Sequence, residues 1–155
     1  MKFQIDYKSR TEEKSLVYRK DEFSFDMEPW VNIMDLELAL NHLTLTVVDN
    51  KIIQLSGFCG LSYSMNSNIC IPEYKTGALM IEHNLKNGFA HGIYDEDQPV
   101  YLNIKSGWVC IGDPLNLGNA VEFIQNCVAV ISDDGKLLSL WLKPTALPEL
   151  GNSLA

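Results

Sequence analysis

Leu36, Leu38 and Leu40, then Leu43, Leu45 and Val47, occupy every second position, with Glu37, Thr44 and Thr46 between them. A period of two sends successive side chains to opposite faces of a strand, so only a half-buried β-ribbon keeps these apolar residues together. Asp49 and Asn50 then interrupt the pattern before a second apolar run at residues 52–58. Both residue types tolerate positive φ, as a two-residue hairpin turn demands, so the pair predicts a hairpin. The same grammar recurs where Asn87-Gly88 separates residues 78–85 from 89–94, and where Asp134-Gly135 separates residues 127–132 from 136–142. Each predicts a further hairpin.

Additional strands are expected at residues 3–7, 15–19, 23–27, 100–104 and 107–111. About a dozen short strands joined by tight turns imply a mostly-β fold, an antiparallel sandwich or an open barrel. The chain has 155 residues, 46% of them apolar. One domain over residues 1–155 is expected, since a chain of this length buries roughly 68–70% of its unfolded surface without metal or disulfide support.

Two segments carry helical features. In residues 29–40, Trp30, Ile33, Met34 and Leu38 follow helical spacing after Pro29, which suits a first turn. Glu37 and Asn41 break that stripe, so strand is expected from Met34 onward. In residues 119–126, Asn119 has the chemistry of a cap, with Glu122 three residues on, the signature of a short helix. The one long irregular stretch, residues 59–76, presents Tyr63, Met65 and Tyr74 among small polar residues and is either a binding loop or a crossover between two halves of the fold.

Cys59, Cys70, Cys110 and Cys127 lack CxxC spacing and sit among apolar or small residues, so buried free thiols are expected. The histidines His42, His83 and His91 show no paired-ligand spacing, and no metal or other cofactor is expected. His83 shares a parity with Leu79 and Ile81, which places it at the core edge. Gly60-Leu61-Ser62-Tyr63-Ser64 lacks the second glycine of a nucleophile elbow. Gly112-Asp113-Pro114 lacks the Gly-Lys-Ser/Thr ending of a phosphate loop. No catalytic residue is therefore assigned, and the chain is not expected to be an enzyme.

Charge is divided unevenly. The first twenty residues hold six basic side chains against three acids, whereas residues 21–155 hold six against seventeen. An acidic surface disfavours nucleic acid and anionic membranes and attracts basic partners. The longest uncharged stretch, residues 52–72, is too rich in Ser, Gly and Asn to span a bilayer. The opening Met1-Lys2-Phe3-Gln4-Ile5-Asp6 has no apolar signal core, so a cytoplasmic location is expected.

The segments Ser106-Gly107-Trp108-Val109-Cys110-Ile111-Gly112 and Asp134-Gly135-Lys136-Leu137-Leu138-Ser139-Leu140-Trp141-Leu142-Lys143-Pro144, in a small acidic chain, resemble bacterial immunity proteins of contact-dependent and polymorphic toxin systems. They span under a fifth of the sequence and read as core strands. The resemblance implies binding to a cognate toxin, with a basic nuclease-like domain as the expected target, by a monomer. The residues expected to make that contact are Asp26, Glu28, Asp35, Glu37, Asp95, Glu96 and Asp97, with Trp30 and Tyr94 as aromatic anchors. The alternatives are a small-ligand module or enzyme whose cavity is lined by His83, His91 and nearby acids, and a structural assembly subunit pairing through a sheet edge.

Overall fold

The structure, a computed structural model, describes residues 1–62 and 65–145. It is mostly β, as the alternation requires. In chain order the strands are β1 (Lys2–Asp6), β2 (Ser15–Arg19), β3 (Ser24–Glu28), β4 (Leu36–Leu40), β5 (Leu43–Val48), β6 (Lys51–Phe58), β7 (Lys75–Thr76), β8 (Ala78–Glu82), β9 (Ala90–Gly92), β10 (Val100–Asn103), β11 (Trp108–Gly112), β12 (Asn119–Ile124), β13 (Cys127–Ile131) and β14 (Leu137–Leu142). The first sheet runs β1-β8-β6-β5-β4-β9, with β2 and β3 attached where β3 pairs with β6. The second runs β10-β11-β14-β13-β12-β7, and one of the two sheets curls into a half-barrel.

The alternating leucines of β4 and β5 all face inward. They join Val109, Ile111, Phe123 and Leu140 of the second sheet in one continuous core. Each fully buried side chain of this size contributes roughly 1.5–3 kcal/mol. The second sheet is buried on its other face as well, where Trp108, Cys110, Val128, Val130 and Trp141 form a separate cluster covered by Ile69 and Ile71. That double burial explains the unbroken apolar runs of β11, β13 and β14. It also makes the irregular stretch part of the architecture. Ser67 N donates to Leu102 O at 2.7 Å and Asn103 Nδ2 donates to Ile69 O at 2.9 Å, holding the crossover against β10. Tyr63 and Ser64 lie outside the described residues.

Two of the three expected hairpins form. Asp49 (φ 51°) and Asn50 (φ 63°) make the turn between antiparallel β5 and β6, and Gly135 (φ 85°) lies in the turn between antiparallel β13 and β14. The third does not. β8 pairs with β1 and β6, whereas β9 pairs in parallel with β4 at the far edge of the sheet. Residues around Asn87-Gly88 are held by β4 instead of folding back, through Gly88 N to Asp35 O at 2.7 Å and Glu37 N to Phe89 O at 3.1 Å.

Neither helix forms. Residues 119–124 are β12, whose Ala120, Val121, Phe123 and Ile124 are buried beside β13 with a bulge at Glu122/Ile124, so both faces of the segment meet apolar neighbours. Residues 29–35 are an extended strap and strand begins at Leu36. The strap has no helical bonds because Val31 spends both backbone groups on the Gln54 amide: Val31 N donates to Oε1 at 3.0 Å, and Nε2 donates to Val31 O at 2.7 Å.

Candidate functional site

Strand register fixes which side chains share the face of the first sheet turned away from the core. Glu37, Thr46 and Gln54 stand opposite one another across β4, β5 and β6, as do Ala39, Thr44 and Ser56 one row along. Directly opposed residues point the same way, and parity then puts Phe58 on this face too. Phe58 is paired with Ser24, so Asp26 and Glu28 follow on the same side while Phe25 and Met27 are buried in the core. Five of the nine residues expected at the contact surface thus meet here: Asp26, Glu28, Trp30, Asp35 and Glu37.

Their electrostatic states differ. Arg19 Nε bonds Asp26 Oδ2 at 3.1 Å, and its Nη2 reaches Glu28 Oε1 at 3.4 Å. The Asp26 hydrogen bond, followed by its charge, pushes the Arg19 guanidinium further up. These two acids therefore share one positive charge, in pairs that on an exposed surface contribute about 0–1 kcal/mol. Asp35 Oδ2 accepts from Asp49 N at 2.8 Å and fixes the β5–β6 turn. Glu37, by contrast, makes no side-chain hydrogen bond or ion pair among the described residues.

Glu37 faces a groove of about 340 Å³ between the strap and the sheet. Its walls include Trp30, Ile33 and Met34, all substantially exposed, and its floor is Thr44, Thr46, Gln54 and Ser56. The strap is pinned at its start by Lys14, buried behind it, whose Nζ donates to Pro29 O at 2.7 Å. The second pin is the Gln54 amide described above, so the groove is preformed. The contact set expected from sequence omits its floor and the wall residues Ile33 and Met34. A signal for the floor exists: the alternation gives Thr44 and Thr46 to Glu37's face, and the Asp49-Asn50 turn extends that parity to Gln54 and Ser56.

The second acidic locus sits beside the turn between β4 and β5. Asn41 clamps the loop after β9 by donating Nδ2 to Gln98 O at 2.9 Å and accepting Gln98 N at 2.7 Å. Asp95, Glu96 and Asp97 are exposed on that loop. Asp97 Oδ2 lies 3.8 Å from His42 Nε2, and the His42 ring meets Phe58 edge-on at 5.8 Å. Tyr94 is elsewhere: it borders a small cavity with Met1, Phe3 and Lys136, and burial raises its phenol.

The remaining candidates are engaged locally. His83 Nδ1 accepts from Leu85 N at 2.9 Å, so the neutral ring carries its proton on Nε2 and donates to Asn50 Oδ1 at 3.1 Å. His91 Nε2 bonds Lys86 O at 3.0 Å. Neither ring lines the groove. All four cysteines are free, and Cys59, Cys110 and Cys127 are buried as expected; Cys70 is exposed, because it lies on the outer side of the crossover. Among the described residues no cluster of three or more His, Cys, Asp or Glu could hold a metal ion, and no helix is long and apolar enough to cross a membrane. Comparison with protein-family models and with curated proteins finds no match to this chain.

Proposed function

We propose that this protein is an immunity protein that binds a cognate, basic, nuclease-like toxin domain and neutralises it by direct contact. The observation that carries this reading is the outward face of the first sheet. There a carboxylate unpaired among the described residues, Glu37, lies beside exposed Trp30, Ile33 and Met34, and three further exposed acids stand on the loop after β9. Aromatic anchors surrounded by charge are the composition of a binding hot spot with a polar rim. Glu37, unpaired among the described residues, and the exposed loop acids have a use in drawing in a basic partner, because complementary fields raise association rates from roughly 10⁵ to 10⁸ per molar per second or more.

The test is kinetic. Replacing Asp95, Glu96 and Asp97 together by lysine should slow association with the toxin domain at least tenfold at low salt and leave the dissociation rate nearly unchanged, since peripheral charges act on encounter. Unchanged association in rapid-mixing experiments would remove this locus from the interface.

A further inference from the structure

We infer that the groove between the strap and the first sheet is a guanidinium site, built to take one arginine side chain of the partner. Four observations converge on it. Among the described residues, Glu37 is the only charged one lining the groove, and it is unpaired. The hydroxyls of Thr44, Thr46 and Ser56, all three residues lining the groove, make no hydrogen bond among the described residues. Trp30 supplies an aromatic wall and is 42% exposed. The volume, about 340 Å³, is at the lower end of the roughly 300–1,000 Å³ of small-ligand sites.

Thr46 lines the groove and its hydroxyl has no protein partner among the described residues, so a ligand seated there completes a hydrogen bond that solvent otherwise takes. The unsatisfied groups are one carboxylate, three hydroxyls and the Asn32 side-chain amide, each with an oxygen able to accept. A guanidinium offers five donors in a fixed plane and no acceptor, which matches that set, and its flat face stacks on an indole. The three methylenes of the side chain would lie along Ile33 and Met34, leaving the charged end at Glu37. An ammonium, with three donors around a point and a stronger hold on water, uses the set less completely. Gln54 takes no part in recognition, because Val31 already occupies its amide.

The site rests on the toxin-binding reading only for the identity of the molecule that carries the arginine, so its test needs no toxin. N-acetyl-arginine amide, N-acetyl-lysine amide and N-acetyl-citrulline amide are each titrated into the ¹⁵N-labelled full-length protein. The Trp30 indole N–H and the Thr46 amide are followed by NMR; the other two tryptophans are buried and serve as internal controls. The arginine amide should shift both signals saturably in the millimolar range expected of so small a ligand. The lysine amide should bind several-fold more weakly, and citrulline, isosteric but neutral, at least tenfold more weakly. Glu37→Gln should abolish the arginine preference while leaving the rest of the spectrum in place.

Absence of shifts, equal response to citrulline, equal response to lysine, or full retention in Glu37→Gln would each overturn the guanidinium site. If the arginine amide binds selectively but no basic toxin does, the immunity reading alone falls. If the toxin binds and the amide does not, the groove assignment alone falls.

Discussion

Cys59, Cys110 and Cys127 are thiols held in the interior, and burial is the first cause of every one of their shifts. It pushes Cys59 up to about 11 and Cys110, aided by the charge of Asp113, to about 12, and raises Cys127 well above 9.0. A thiol that stays neutral in the fold while the unfolded chain ionises it supports folding fully below about pH 9. That support is lost as pH rises from 9 towards 11 and 12. The slope is roughly 1.4 kcal/mol per pH unit for each thiol. Urea midpoints should therefore fall steadily above pH 9, with a shallower fall for Cys110→Ala, and a midpoint that holds constant to pH 11 would contradict the burial. Three of the four thiols were legible as buried because each sits in or beside an apolar strand. Cys70 was not: Ile69 and Ile71 do turn inward, but a crossover with no ladder of its own gives alternate residues to the solvent.

At the scale of elements, the strap at residues 29–35 decides whether a groove exists. Gln54 stands in for a neighbouring strand by bonding both backbone groups of Val31, in a position that is 1% exposed. Gln54→Ala should cost roughly 2–4 kcal/mol, from two lost hydrogen bonds and the backbone groups left unpaired, while Thr46→Ala, whose hydroxyl has no partner among the described residues, should cost less. Denaturant unfolding of the two variants checks the difference. Strands whose alternation is strict, such as β4 and β5, could be read from sequence because only one geometry satisfies the pattern. The strap could not, since Trp30, Ile33, Met34 and Leu38 mimic a helix and the deciding contact comes from Gln54, more than twenty residues away. The failed hairpin at Asn87-Gly88 has the same origin, for a turn dipeptide permits reversal, and the bonds to Asp35 and Glu37 determine which strand is met next.

For the whole molecule, the sequence marked two acidic loci; strand register gathers the first on one face, and the Asn41–Gln98 and His42–Asp97 contacts hold the second beside the β4–β5 turn. Charge counts alone could not separate Asp26 and Glu28, spent on Arg19, from Glu37, which is unpaired among the described residues. Nor could spacing show that Tyr94 turns towards Met1 and Phe3, away from its acidic neighbours. An interface of standard size covers about 800 Å² per partner, enough to span both loci at once. On this account the loop acids set the rate of encounter, while Trp30 and Glu37 hold the complex. The most direct measurement is the affinity of the cognate toxin domain, by titration calorimetry, for the wild-type protein and for the Trp30→Ala/Glu37→Gln double variant. The account predicts a one-to-one complex with the wild type that the double variant weakens at least 100-fold, chiefly through faster dissociation. Equal affinity for the two proteins would contradict it.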